Sequence, residues 1–521
     1  MKYTYITTPI YYASGTPHLG HAYSTILADC YNRYYKLRGY RSRLTTGTDE
    51  YGLKIERAAQ KNNCEPQKFV DDLAEKFIET WGKLGIAYDD FIRTTEPRHR
   101  QVAQEIWKRM EENGDIYLGH YEGLYCVDCE QYYPESELLE GKLCPIHNRT
   151  VDFMREETYF FRMSKYYDRL LGHIEQHPEF IYPETRRNEV LGFLKHNPLQ
   201  DLSISRTSFR WGIQVPGNES HIMYVWIDAL TNYISNLGGF DSELFNQYWG
   251  NTIHIIGKDI LKFHAIYWPC ILMSAGVSLP KSLIVHGWWT ISSKKISKSD
   301  PATKIDPTML AEDITPDALK YYLLKELTVG RDGDLDYQNL ISSINSGLAN
   351  NLGNLVNRTI QMIFKYFDGR IEVQGIGTID QLDIEIREQA FLTRQIVEKS
   401  MNENSPSAAI NAIMIFSNHL NAYLEKTAPW QLAKQDDHKK RMAEIFLHIV
   451  EAIRWITQLG SPFFPSISRG ITSQMNFDEV LQWPEDFSLR SINVNKAHVL
   501  FDRITKEKED ELIAKWQNPK L

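Results

Sequence analysis

Cysteine is scarce in this chain, with six in 521 residues. That excludes a disulfide framework as the source of its stability. No apolar run is long and uninterrupted enough to cross a bilayer: the nearest, AIYWPCILMSAGVSLP at 265–280, is too short and too broken. The opening MKYTYITTPIYY has no apolar h-region, no small-residue cleavage site and no Arg/Ser-rich amphipathic character, so it reads as neither a secretory leader nor a transit peptide. Positive charge is not in excess; the formal net charge is −9. A chain-wide basic field for nucleic acid is therefore absent, although a local patch remains open. Repeats, low-complexity stretches and long linkers are also missing. These absences lead to the expectation of a soluble, cytoplasmic chain with no membrane segment.

What is present is ample core material. The composition is 42% hydrophobic, 12% aromatic and 24% charged, enough for two to four globular domains. KYTYITTPIYY alternates and is rich in Tyr, Thr and Ile, as a strand is. It breaks at Ser14-Gly15-Thr16-Pro17. A helical pattern follows from His18, with Leu19, Tyr23, Ile26, Leu27 and Tyr31 on one face. RSRLTTGTDEYG reads as a second strand ending in a turn. Strand, turn, helix, strand opens a parallel α/β sheet.

Between Ile116 and Met223 short strands, turns and cysteines take over, and the α/β pattern resumes at MYVWIDALTNYI. One sheet interrupted by an inserted domain is the expected arrangement. From Ile344 onward apolar residues recur at helical spacing, as in SGLANNLGNLVNRTIQMIFKYF, which predicts a helix bundle. The expected divisions are 1–115 and 224–290 for the two halves of a Rossmann-like α/β domain, 116–223 for the insertion, 291–343 for a connecting region and 344–521 for the bundle.

Three stretches carry chemistry. In HLGH, His18 to His21, a strand runs into a turn and then a helix. Such a junction points free backbone N–H groups and the helix dipole at one place, which favours anions. Gly20 leaves room for a ligand against the backbone. His18 and His21, three apart, can donate to phosphate oxygens; read alone, they are equally a pair of core or surface histidines. The second stretch is SSKKISKSD, residues 292–300, where Lys295 and Lys298 stand three apart among serines. Lysines suit a polyphosphate, and the same loop alone also reads as a solvated basic surface. The third is Cys126-x2-Cys129-x14-Cys144-x2-His147. Two ligand pairs at this spacing predict one zinc ion, structural because four protein ligands leave no open position. Cys30, Cys64 and Cys270 have no ligand spacing.

Taken together, HLGH in the first strand–helix turn and KISKS late in the same α/β region are the two signatures of class I aminoacyl-tRNA synthetases. The chain resembles the methionyl-tRNA synthetases of that class over nearly its whole length, with HLGH for the family's HIGH and KISKS for its KMSKS. DLSISRTSFRWGIQVPG resembles the strand returning from the insertion in the Met/Leu/Ile/Val subgroup. The resemblance implies ATP, accompanied by Mg²⁺, and L-methionine as substrates, and tRNA(Met) as partner. It implies phosphate contacts from His18, Gly20, His21, Lys295 and Lys298, and ribose contacts from Gly257 and Asp259. The zinc knuckle agrees with the family's inserted connective domain.

A thioether favours an apolar, ring-lined pocket, and an amino acid's ammonium requires a carboxylate. The resemblance assigns the methionine pocket to Ile10, Tyr12, Trp226, Ala229, Leu230, Tyr233, Ile260 and His264, with Asp49 for the ammonium. Tyr51 replaces a histidine common in the family, and Leu230 replaces a proline found in some relatives. In the tail, Asn354 and Arg358 share a helix face, and Pro429 precedes Trp430. Through the resemblance these are anticodon-binding residues: an aromatic face for a splayed base, with Asn and Arg for its edge. HVLFDRITKEKEDELIAKW resembles the closing helix, and the lack of the OB-fold found in many bacterial relatives leads to the expectation of a monomer. Three rivals stand beside this reading. One is a synthetase for leucine, isoleucine, valine or cysteine; the first three carry an editing domain for which there is no room. The others are a non-catalytic tRNA-binding paralogue and a small HxGH nucleotidyltransferase.

Overall fold

The computed structural model describes residues 2–517 except 128–130, 134, 147, 292–293, 296–304, 373–379, 435–437, 479–481 and 490. Its centre is a sheet of seven parallel strands. The order along it is Tyr11–Tyr12, Arg41–Asp49, Tyr3–Thr7, Thr252–Gly257, Ser282–His286 and Ile181–Tyr182, with Asp90–Arg93 also paired to Arg41–Asp49. Tyr5 and Ile6 are fully buried, and so is all of Thr252–Gly257. This is the pattern of parallel strands covered on both faces by their crossover helices. The strand foreseen over KYTYITTPIYY is two strands. Pro9 lies between them and has no N–H to give to a ladder.

Most of the insertion is antiparallel. Gln131–Tyr133, Ile116–Cys126, Asp152–Phe161 and Leu202–Ser203 make one sheet in that order. Ser205–Arg206, Asn218–Met223 and Gln214–Val215 make another. The stretch 116–223 is not wholly separate, however. Ile181–Tyr182 pairs with Leu283 and Ile284 at the edge of the main parallel sheet. A two-residue strand has too little periodicity to be seen in a sequence.

The tail is helical from Tyr337 on, with long helices at Gln381–Asn402, Pro406–Thr427 and Lys439–Gly460. The only strands described there are Arg370–Glu372 and Ser491–Asn493, which pair with each other. One apolar core runs unbroken from helix Leu19–Leu37 through helix Pro316–Glu326 into the tail helices. No described helix is long and apolar enough to cross a membrane.

Candidate active site

The carboxyl ends of four parallel strands open into one cavity of about 640 Å³. Tyr11–Tyr12 leads into the HLGH turn; Arg41–Asp49 ends at Asp49, Thr252–Gly257 at Gly257 and Ser282–His286 at His286. Tyr12, Asp49, Gly257 and His286 all line the cavity. Open parallel sheets bind ligands at this edge because the turns leaving the strands carry helix N-termini.

At one end the two histidines cap the helix that follows them. His18 is the N-cap, with extended backbone, and its Nδ1 accepts the Gly20 N–H at 3.1 Å. His21 Nδ1 in turn accepts the His18 N–H at 3.2 Å. Two imidazoles thus form a reciprocal capping box. A ring nitrogen that accepts carries no proton, so in each ring the proton sits on Nε2. The rings stack with centroids 3.6 Å apart, a separation at which two positive charges would repel strongly. The pair therefore works as two neutral N–H donors beside helix amides. Gly20 lines the cavity as expected, but the nearest constraint on it is internal. A Cβ there would lie 2.9 Å from His18 Cε1 and displace the cap.

Around these histidines this end of the cavity is built by contacts the sequence did not reveal. His286 Nδ1 donates to the Gly287 carbonyl at 2.7 Å, so its Nε2 accepts from the Ser24 hydroxyl at 2.7 Å. Ser24 is on the HLGH helix, so this bond ties two strand ends together. Trp288 Nε1 donates to Asp259 Oδ1 at 3.1 Å. Gly287 admits no side chain, since a Cβ would meet the Arg331 carbonyl at 2.0 Å.

The other end is lined by rings. Trp226 and Phe263 stack with centroids 3.6 Å apart and planes 4° apart. Ala229, Leu230 and Tyr233 come from helix Val225–Ser235 and line the same wall. His264 lies in the π-helical stretch Phe263–Tyr267. Its Nδ1 donates to the Ile260 carbonyl at 3.0 Å, so Nε2 accepts from the Tyr233 hydroxyl at 2.7 Å. Tyr5, beneath, donates to the Tyr233 carbonyl at 3.0 Å. Burial lowers the His264 pKa to about 4 and raises that of the Tyr233 hydroxyl, so both are neutral at physiological pH. Ile10, Tyr12 and Ile260 complete this end. Asp49, 7% exposed, brings the carboxylate.

Tyr51 is not in the cavity; it is 6% exposed and packs on Trp211. Phe263, His286, Trp288, Lys54 and Arg149 line the cavity and escaped the sequence reading. Two of them were signalled: Phe263 adjoins His264, and His286 ends an apolar strand. Arg149 arrives from the insertion and carried no signal.

Cys126 and Cys144 are buried in one small cluster with Tyr133. The loop after Cys144 is stapled, with Cys144 N–H donating to the Arg149 carbonyl and Asn148 N–H to the Cys144 carbonyl, each at 2.8 Å. Cys129 and His147 lie outside the described residues, and among those described no three His, Cys, Asp or Glu side chains form a metal-ready group. Two buried thiols eighteen positions apart, packed together on a stapled loop, fit the soft donor set that zinc takes. The Lys295 backbone pairs with Thr290 in a short antiparallel ribbon. Its side chain, and Lys298 entirely, lie outside what is described.

In the tail, Asn354 and Arg358 stand in the first turns of helix Asn354–Phe367. Arg358 bonds Glu425 at 2.7 Å, and its guanidinium carbon is 5.9 Å from the centre of the Trp430 ring. Pro429 opens the short helix Pro429–Leu432 and is buried. The sequence-predicted tail residues Arg358 and Trp430 thus meet on one face.

A parallel sheet whose cavity is capped by HLGH, interrupted by an insertion and followed by a helical tail, defines a class I aminoacyl-tRNA synthetase. The model for tRNA synthetases class I (M) matches residues 4–152 and 137–360, and that for the anticodon binding domain of methionyl tRNA ligase matches 381–520. A methionine–tRNA ligase of Fusobacterium nucleatum is 43% identical, over 98% of this chain and 81% of its own. One of Clostridium acetobutylicum is 41% identical, over 100% and 81%. Among solved structures, Mycobacterium tuberculosis methionyl-tRNA synthetase in complex with methionyl-adenylate superposes with a TM-score of 0.92 at 38% identity, covering 96% of this chain and 100% of that one. The chain belongs to the methionyl-tRNA synthetase family.

Proposed function

We propose that this chain activates L-methionine with ATP and transfers it to tRNA(Met), using the cavity for both steps. The observation that carries the reading is the cavity's two unlike ends on one sheet edge: a neutral, ring-lined end beside a carboxylate, and a histidine-capped helix N-terminus. The first end suits a thioether and an ammonium; the second suits phosphate.

In the first step a methionine carboxylate oxygen attacks the α-phosphorus of ATP, the bond to the β-phosphate oxygen breaks, and pyrophosphate leaves. Catalysis of this kind is positioning and charge stabilisation. Asp49 holds the ammonium. Ile10, Tyr12, Trp226, Ala229, Leu230, Tyr233, Ile260 and His264 enclose the side chain. The Tyr233 hydroxyl spends its proton on His264, so the pair offers no strong donor to the side chain and a polar one is poorly matched. The Nε2 protons of His18 and His21 meet the phosphates as charge develops, and Lys295 and Lys298 neutralise the departing pyrophosphate. Gly257 and Asp259 hold the ribose. Mg²⁺ would accompany the nucleotide. In the second step the 2′-hydroxyl of the terminal adenosine attacks the activated carbonyl and AMP leaves. Asn354, Arg358, Pro429 and Trp430 form the anticodon-binding face, in a domain spanning 344–521 that is mainly helical but carries the ribbon of Arg370–Glu372 and Ser491–Asn493.

Cys126, Cys129, Cys144 and His147 would hold one structural zinc, whose part is to stiffen the loop that brings Ile146 and Arg149 to the cavity. Metal analysis of the purified chain then gives one zinc per molecule, and Cys144→Ser loses it. The reaction takes place in the cytoplasm, where the tRNA is used.

The deciding experiment is amino-acid-dependent exchange of pyrophosphate into ATP across the standard amino acids. Methionine is expected to drive it far above all others. Exchange driven better by another amino acid, or none with methionine, overturns the reading.

A further inference from the structure

A buried ion cluster halfway along helix Leu19–Leu37 takes no part in the chemistry above. Asp29 lies on that helix three turns beyond His18. Its Oδ1 accepts the Ala87 N–H at 3.2 Å, and its Oδ2 accepts from Arg33 Nε at 2.8 Å. Lys320 Nζ, from helix Pro316–Glu326, stands 3.6 Å from Asp29 Oδ2 and donates to the Gly85 carbonyl at 3.2 Å. It also lies 4.0 Å from Asp317 Oδ1. Asp317 Oδ2 accepts the N–H groups of Ser466 and Ile467, at 2.5 and 2.8 Å, which open the tail helix Pro465–Met475. The Asp29, Asp317 and Lys320 side chains are 2–3% exposed. Lys320 thus ties the HLGH helix to the connecting region, and Asp317 beside it carries the link on to the tail.

Stability alone does not account for such a cluster. Each buried ion costs several kcal/mol of desolvation, and well-packed apolar groups of the same volume often serve as well. What charged partners add over apolar ones is a single permitted geometry. The same helix is gripped again at its far end. Its C-cap Arg38 pairs with Glu398 of the tail at 2.7 Å and lies 4.5 Å over the Trp483 ring. Its 19 residues span about 28 Å. The helix therefore acts as a strut: His18 meets the cavity at one end, Lys320 of the connecting region holds the middle, and the tail holds the other end.

We propose that Lys320 is a positioning residue that fixes the separation between the cavity and the tail, so that one RNA molecule engages both at once. The inference rests on the proposed function. An RNA anchored on the Arg358–Trp430 face presents its 3′ end to the cavity at an effective concentration set by the geometry between the two sites. Loosening that geometry by about an ångström costs on the order of a hundredfold in rate. Adenylate formation needs only the cavity, and anticodon binding needs only the tail. Neither should respond.

The test compares full-length wild type with Lys320→Met, which keeps the volume and removes the charge, and with Arg38→Met at the half-exposed end of the strut. Three quantities are measured: methionine-dependent pyrophosphate exchange, the Kd for an anticodon stem-loop RNA, and single-turnover transfer from preformed adenylate to full-length tRNA. Lys320→Met is expected to slow transfer by about tenfold or more, with exchange and stem-loop Kd within about twofold. Arg38→Met should show a smaller loss of the same pattern, and decides the matter if Lys320→Met does not fold. Unchanged transfer, or exchange and transfer falling together, overturns the proposal. A wild type with no methionine-dependent exchange overturns the functional reading instead.

Discussion

In the cavity, His264 is 1% exposed and is held on both ring nitrogens, by Tyr233 and by the Ile260 carbonyl. On the tail, Arg358 is held by Glu425, whose side chain is 57% exposed. The two candidate sites are built on opposite terms. The cavity is assembled before any ligand arrives: two capping imidazoles, a stacked Trp–Phe pair and a Tyr–His pair in one protonation state each. The tail face is half open, and its ion pair is of the kind worth little in water. Chemistry gains from donors that need no reorganisation as charge develops. A splayed base gains from a ring and a guanidinium that solvent has kept accessible. Under the proposed function Arg358 would exchange a weak surface partner for the RNA at small cost.

That contrast can be broken by mutation. The largest effect is expected for Lys298→Ala, which should lower the rate of pyrophosphate exchange by about a hundredfold or more with little change in the KM for methionine. Equal losses in both would remove its role in the transition state. Next is acid. The His264 pKa is about 4 in the fold, below the usual value for an exposed histidine. The unfolded chain therefore binds the proton first, and stability falls as pH drops from about 6.5 through 4. The loss from this group is on the order of 3 kcal/mol. Denaturant titrations from pH 7 to 4 should show it, and His264→Gln should flatten the slope. A slope unchanged in that variant would place the acid sensitivity elsewhere. Smaller again, Arg358→Ala and Trp430→Ala should each raise the KM for tRNA by about tenfold, as loss of a stacked or edge contact does, while exchange stays constant. An exchange defect would show that the two sites are not separate. The smallest effect is Tyr233→Phe. It leaves a buried His264 acceptor without its donor and should raise the KM for methionine several-fold, with the KM for ATP unaltered.

Much of the cavity was legible because its signals are local. A cap and its partner are three residues apart by helix geometry, so HLGH announces a helix start wherever it falls. Ile260 and His264 are four apart, one turn on a helix, which brings the His264 ring to the Ile260 carbonyl. The parallel α/β sheet followed from strand and helix alternation, and the helical tail from its periodicity. Other features were not legible. Pro9 splits the first strand, and Ile181–Tyr182 joins a sheet whose other strands lie far away in sequence. Gly20 was read as space for a ligand, whereas the fold shows that it first makes space for His18. Tyr51, noted as a departure, packs on Trp211 away from the cavity.

The sequence by itself determined the strand–turn–helix junction, the ring-rich pocket helix and the periodicity of the tail, because each depends on residues within a few positions of one another; the family resemblance needed only that two such local signatures, HLGH and KISKS, occur in one chain. Only the tertiary structure decided the state and company of those residues. The Ser24–His286 bond, the Trp288–Asp259 bond, the arrival of Arg149 at the cavity and the Lys320 cluster join segments separated by 29 to 291 positions or by whole domains. Such pairings leave no periodic trace. They are selected when the parallel sheet draws distant strand ends to one edge and the shared core fixes the helices above it, and burial then sets which proton each group keeps.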